Sequence, residues 1–380
     1  MVFIALWRGV VSMIAVQKAA ASANASRLVS PTAQVACNVY VSVGGMPSHA
    51  PLLLDLLRQT QEHCAHLVAI SADSGPPSTR SAAVVHAYAD PVYNRSSFHL
   101  AGTAPHVASL ASKLAADAIQ SIRQASDGLS SSSDVHTESV SHPNVGLVDH
   151  VAVMPITGRD ETSKHAATTA TSTTPSGLAA RMIGDRLSAL NVQVFYYGTA
   201  HPQAIPLAIV RKEQTSFFHS GGLSLDHGKG GKRCSHPVVE VAMVGAPPEF
   251  VENYNIRLTR HCTLAMARSL TRRVRERDGG LAGVEALTLP YSEGRWEVAC
   301  NLLRPTQASA NDIQTVVDEW VNEQRWQQQK QVGNDLVEQG YRVGTTSKLC
   351  LEALSIFSLD KQQIYDDSVR GRLQGYLRQL

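Results

Sequence analysis

Two hydrophobic periods alternate along this chain, one of two residues and one of three and four, in an order that few folds accept. Residues 238–245, 283–289 and 295–302 read as strands, and 261–277 and 311–331 as amphipathic helices. Strand, helix, strand, strand, helix is the order of a split βαβ, ferredoxin-like layer, with helices covering one face of a sheet. The first half repeats a similar order. A strand at 35–43 precedes a helix at 51–67, whose opening Pro51 suits a first helical turn. A strand at 97–101 and a helix at 105–123 follow. In that helix Val107, Leu110, Ala111, Leu114, Ala118, Ile119 and Ile122 form one apolar stripe. A helix at 177–190 and a strand at 192–197, ended by Gly198, complete the half. The pattern predicts an α+β protein of two ferredoxin-like α/β subdomains. Each is a mixed β-sheet with helices on one face.

At 380 residues, 43% of them hydrophobic, the chain has material for two packed units. The units are expected at 37–212 and 241–345, joined by a connecting loop at 213–240. The second opens with the strand at 238–245, and a charged tail at 346–380 is expected to be helical near its end. Stretches near 71–83, 126–141 and 164–176 are rich in Ser, Thr, Gly or Pro and cannot bury a core. They read as surface insertions without chemistry. Residues 1–36 carry Arg8, Lys18 and Arg27 but no acid, which describes a leader for mitochondrion or plastid. A cytoplasmic protein is the alternative. Arg8 and Lys18 interrupt the apolar run, so no membrane span is expected. A net charge of +2 without a basic stripe gives no reason to expect nucleic acid. The six cysteines form no Cys-x-x-Cys pair, which argues against structural zinc or a disulfide framework and for a reducing compartment.

Among fifteen histidines, His142 stands out. Pro143 holds it in extended backbone, and the alternating strand from Val148 to Met154 follows closely. Histidine titrates near neutrality, so it can both take and return a proton. Asp149 either orients His142 and steadies its charged form, or simply pairs at the strand start.

Several ordered motifs carry a family resemblance. They are Asp90-Pro91-Val92-Tyr93-Asn94-Arg95, with an apolar strand to Gly102; His142-Pro143 through Gly146 and Asp149; Tyr196-Tyr197-Gly198-Thr199-Ala200-His201; Asn253-Tyr254-Asn255-Ile256; and Glu297 to Leu303. Across about residues 37–304 the chain resembles the formiminotransferase domain of glutamate formimidoyltransferase, above all its stand-alone plant and algal relatives. The resemblance implies transfer of a formimino group from N-formimino-L-glutamate to tetrahydrofolate, a co-substrate, as in histidine and one-carbon metabolism. It implies a ligand cleft between the two subdomains with the folate in it, His142 as the catalytic residue, no metal, and a homodimer. Such chemistry needs one proton removed from the attacking folate nitrogen and one delivered to the departing glutamate nitrogen. A histidine can do both, worth roughly 100- to 10,000-fold in rate.

Substrate-binding candidates are Asp90, Asn94, Arg95, Asn144, Gly146, Asp149, Tyr197, Gly198 and Arg211. Arg95 and Arg211 suit the substrate's carboxylates, since a guanidinium grips a carboxylate with two parallel hydrogen bonds; either could instead make a surface salt bridge. Asn94 could meet a pteridine edge or hold a turn. Gly146 and Gly198 allow close backbone approach to a ligand or serve turns. Ser235, His236 and Pro237 occupy the place of the family's folate-contacting loop.

Two departures bear on activity. Asn144 stands where the family has an arginine after His-Pro, and Val39-Tyr40-Val41-Ser42-Val43-Gly44 replaces a Pro-Asn-Phe-Ser-Glu-Gly run. They keep two alternatives open: transfer of a related one-carbon unit such as formyl, and a folate-binding protein that has lost turnover.

Overall fold

The computed structural model describes residues 32–72, 82–128, 144–156, 174–213, 240–327, 336–356 and 359–378. The first unit starts with β1 (Gln34–Val41), α1 (His49–Ala72), β2 (Ala82–Asp90), β3 (Arg95–Thr103), α2 (Ala104–Gly128) and β4 (Val148–Pro155). It continues through α3 (Pro175–Ala189), β5 (Val192–Gly198), α4 (Leu207–Glu213) and β6 (Glu240–Ala246). Its sheet has the order β2-β3-β1-β4-β6-β5. β1 runs antiparallel to β3 and β4, whereas β6 runs parallel to β4 and β5. The first four strands form the split βαβ layer, and the α3 crossover adds the last two.

The second unit holds β7 (Glu252–Leu258), α5 (Leu264–Val274), β8 (Val284–Tyr291), β9 (Arg295–Leu302), α6 (Ala310–Gln327) and β10 (Val337–Val343). Its strands are all antiparallel, in the order β10-β7-β9-β8. This is the complete ferredoxin-like arrangement.

The strand expected to open the second unit, 238–245, is β6 and lies inside the first sheet, between β4 and β5. The first unit therefore runs on to Ala246, and β7 takes the opening place in the second. The physical reason is that Val241–Ala246 is apolar on both faces, as a strand inside a covered parallel ladder must be, and such a run carries no mark of its sheet. β7 is instead half polar: Asn253, Asn255 and Arg257 alternate with Tyr254, Ile256 and Leu258. β2 and β10 also went unforeseen, β10 because Val-Glu-Gln-Gly-Tyr-Arg-Val at a sheet edge has little apolar signal.

The α2 stripe packs as its spacing predicts. Val107, Leu110, Ala111, Leu114, Ala118, Ile119 and Ile122 are all buried against Val35, Cys37, Val39 and Val41 of β1 and Val151 and Val153 of β4. α3 starts where Thr174 accepts the Gly177 amide at 3.1 Å with Pro175 at its first position. The tail adds α7 (Ser347–Leu354) and α8 (Leu359–Leu377). α7 seals one end of the opposite sheet face, setting Cys350, Ala353 and Leu354 on Ala36, Val85, Ala101 and Met154. α8 runs along edge strand β2, where Tyr365 and Arg372 donate to the Val85 carbonyl at 3.1 and 3.2 Å. An edge so covered is closed to pairing with another chain.

Candidate active site between the two sheets

The face of the first sheet turned away from α2 and α3 is apolar under α7 and polar beyond it. Strand alternation places Asn38 and Tyr40 of β1, His99 of β3 and His150 of β4 on this side. At Asp149 the ladder slips: Tyr40 pairs with His150 while Val41 pairs with Val148. This one-residue bulge re-aims the Asp149 side chain. Its Oδ2 accepts from Arg95 Nη2 at 2.9 Å, two strands away, and its Oδ1 accepts the Val145 amide at 2.9 Å. The carboxylate is 1% exposed, so the ion pair is shielded from water and from salt.

The Arg95 guanidinium lies 4.3 Å from the Tyr40 ring centre, and the Tyr40 ring stacks on His150 with centroids 5.6 Å apart and planes 9° off parallel. His150 Nε2 shares a hydrogen bond of 2.7 Å with the Tyr197 hydroxyl on β5. Burial holds the His150 imidazole well below the ordinary histidine range, and the Arg211 and Arg95 charges push it further down. It is a neutral ring at pH 7. Arg211, from α4, lies within electrostatic reach of Asp149, Arg95, Tyr197 and Tyr40, and of Glu285 on β8.

The second sheet faces this cluster with Asn253, Asn255, Arg257, Glu297 and Asn301. Tyr40 Oη donates across to Asn253 Oδ1 at 3.5 Å, and Asn253 Nδ2 donates to Asn301 Oδ1 at 2.6 Å. A second junction centres on Glu297, a fully buried carboxylate. Tyr93 Oη (3.1 Å) and Asn255 Nδ2 (2.8 Å) donate to its Oε1, and Tyr341 Oη (2.6 Å) to its Oε2. Arg257 lies 3.6 Å from the same carboxylate and donates to Tyr341 Oη at 3.0 Å. Burial raises the Glu297 pKa, with the hydrogen bonds from Tyr341 and Tyr93 and the Arg257 charge opposing and Asp90 adding to the rise. Tyr93 belongs to the β2–β3 turn that delivers Arg95, so this junction fixes one side of the polar cluster.

The structure brings Arg95, Asp149, Tyr197 and Arg211 together, four of the nine substrate-binding candidates. Asp149 pairs with Arg95 and accepts the Val145 amide. Asp90 is a turn residue: its Oδ1 accepts the Val92 and Tyr93 amides at 2.9 and 3.0 Å, and its Oδ2 accepts from Tyr88 Oη at 3.0 Å. Asn94 is also a turn residue, with φ of 48° and its Oδ1 accepting the Gly45 amide at 2.7 Å. Gly146 serves packing, because a Cβ there would stand 2.0 Å from the Val241 carbonyl oxygen. Gly198 serves a turn at φ of +56°, where a Cβ would meet the Ala246 carbonyl at 2.1 Å. Asn144 is half-buried, next to Val145, whose amide is held by Asp149. His142, Ser235, His236 and Pro237 lie outside the described residues.

Sequence reasoning missed Tyr40, His150 and the Glu297 junction. For Tyr40 and His150 a signal existed, since both interrupt otherwise apolar strands on the side opposite the α2 core. Among the described residues, no group of three or more His, Cys, Asp or Glu could hold a metal ion.

Comparison with known proteins agrees with this architecture. The profile of the formiminotransferase domain's N-terminal subdomain matches residues 34–246, the stretch that builds the six-stranded sheet. A formiminotransferase cyclodeaminase-like protein of Arabidopsis thaliana is 28% identical over 251 residues, covering 62% of this chain and 77% of that protein. Among solved structures, the periplasmic protease PqqL from Escherichia coli is 10% identical with a TM-score of 0.17; this chain spans 40% of its length, and so slight a likeness carries no argument. By the match over 34–246 and the two facing sheets, the chain belongs to the formiminotransferase domain family.

Proposed function

We propose that the chain transfers a formimino group from N-formimino-L-glutamate to tetrahydrofolate in the space between the two sheets. The observation that carries the reading is the convergence of Arg95, Asp149, Arg211, His150 and Tyr197 on the sheet face that fronts the second subdomain. Arg95 and Arg211 bring two guanidiniums to this face, the groups that grip the carboxylates of a dicarboxylate donor. His142 lies three residues along the chain from Val145, whose amide is tied to Asp149.

In this reading Arg95 and Arg211 orient the glutamate carboxylates. A folate ring nitrogen attacks the amidine carbon and gives a tetrahedral carbon bearing three nitrogens: the folate's, the former imino nitrogen and the glutamate's. His142 takes the proton from the attacking nitrogen and returns one to the departing glutamate nitrogen, so the C–N bond to glutamate breaks without expelling an anion. His150, kept neutral, adds no charge that would repel a cationic intermediate. Ser235, His236 and Pro237 belong to the folate side.

A second reading, folate binding without turnover, is favoured by two residues. Asn144 removes the family's cation next to His142, and Tyr40 places a phenol where the family has a small amide. The test is release of glutamate from N-formimino-L-glutamate by the purified chain with tetrahydrofolate. We expect release, and a 100- to 10,000-fold slower rate for His142→Ala, roughly the worth of one acid–base group, with tetrahydrofolate affinity kept. Folate binding without release supports the second reading, and full turnover by His142→Ala contradicts the first.

A further inference from the structure

Asn38 occupies the step between the apolar and polar parts of the open sheet face. Its β1 neighbours Cys37 and Val39 point into the helix-covered core. On its own side Ala36 is sealed under α7, while Tyr40 stands in the polar cluster. Its partners across the ladder are His99 on β3 and Ala152 on β4. An apolar residue here would simply extend the seal, so an asparagine that is 5% exposed calls for a reason.

The hydrogen bonds around it run in one direction. Tyr40 has a single hydroxyl proton and donates it to Asn253 Oδ1 at 3.5 Å. The hydrogen bond between Asn38 and Tyr40 must then use the Asn38 amide as donor. Asn253 passes the direction on by donating to Asn301. This leaves Asn38 Oδ1 buried with no hydrogen-bond partner among the described residues. His99 does not satisfy it, because its Nε2 is engaged by Ser97 Oγ at 3.0 Å and its Nδ1 faces Thr345 Oγ1 at 3.5 Å. Native folds leave few buried acceptors in this condition, since each one is costly.

We propose that Asn38 is a ligand-binding residue of the inter-sheet site, its side-chain carbonyl accepting a hydrogen bond from a planar N–H group of a co-substrate. An acceptor with no donor beside it selects a ligand that brings one. Both molecules of the reaction proposed above, on which this inference rests, carry such a group: the amidine of the formimino donor and the aminopyrimidine edge of the pterin. Asn38 lies two residues from the ring held between Arg95 and His150, so the N–H it accepts belongs to a flat group entering beside that stack.

The experiment is calorimetric titration of the wild-type chain, Asn38→Leu and Asn38→Asp with tetrahydrofolate and, separately, with N-formimino-L-glutamate. Asn38→Leu removes an unsatisfied polar atom, so its melting temperature is expected to equal or exceed the wild type while its affinity for one co-substrate falls about tenfold or more. The co-substrate that weakens is the one whose N–H meets Asn38. Asn38→Asp keeps an acceptor oxygen and is expected to hold that affinity better than the leucine variant; it also serves if the leucine variant fails to fold. Wild-type affinity for both ligands in Asn38→Leu, or equal losses in the two variants, overturns the assignment. A wild-type chain that binds neither ligand removes the functional reading itself, a result distinct from a wild type that binds and variants that bind equally well.

Discussion

Glu297→Ala is expected to lose about 3–5 kcal/mol of stability, the usual result of stripping one partner from a buried charge network. The carboxylate accepts from Tyr93, Asn255 and Tyr341 and neutralises Arg257. Alanine leaves those donors facing one another around a buried position, and leaves the Arg257 charge between the Tyr291 and Tyr341 rings, 4.0 and 5.0 Å away, with no counter-ion from Glu297. The Tyr93 bond also joins the first sheet's β2–β3 turn to the second sheet. Its loss loosens the two subdomains together with the turn that delivers Arg95. Glu297→Gln keeps one acceptor oxygen and the shape, so its loss is expected to be about 1–3 kcal/mol. Urea unfolding read by tryptophan fluorescence ranks the two variants; an alanine variant with an unchanged midpoint contradicts the role given to this junction.

Asp149→Ala carries a comparable cost, about 3–5 kcal/mol, by the same physics at the opposite end of the site. Removing the carboxylate leaves Arg95 unpaired from it and within reach of Arg211, so like charges face each other across a space with little solvent. The Val145 amide loses its acceptor too, which loosens the segment just ahead of β4. The variant is therefore expected to lose both stability and ligand affinity, whereas Asp149→Asn, able to accept the Val145 amide, recovers part of the stability without the charge. If Asp149→Ala unfolds at the wild-type urea concentration, the buried ion pair is not what holds this face together.

Much of the fold was legible because periodicity is local. The α2 stripe and the alternation at the end of β9 are each complete within a single element, so burial follows from spacing. β6 was legible as a strand but not as a member of its sheet. An apolar run buried on both sides fits any covered ladder, and the choice was made by the α3 crossover. The site divides along the same line. Arg95, Asp149 and Tyr197 could be named from motifs and Arg211 from guanidinium chemistry, but the stack of Tyr40 between Arg95 and His150 depends on the order β3-β1-β4, which joins residues more than fifty positions apart. Asn94, Asp90, Gly146 and Gly198 carry the motif yet serve turns and packing, because a turn that must deliver Arg95 needs its own hydrogen bonds satisfied first.

The account stands on a folate reacting between the two sheets beside the Arg95–Tyr40–His150 stack. A crystal structure of the chain with tetrahydrofolate bound tests this directly. The account predicts the pterin lodged between the β1-β3-β4 face and β7-β9, its reactive ring nitrogen within hydrogen-bond reach, roughly 3 Å, of the His142 imidazole. A folate seated on the helix-covered side, or one between the sheets with His142 turned away from it, contradicts the account.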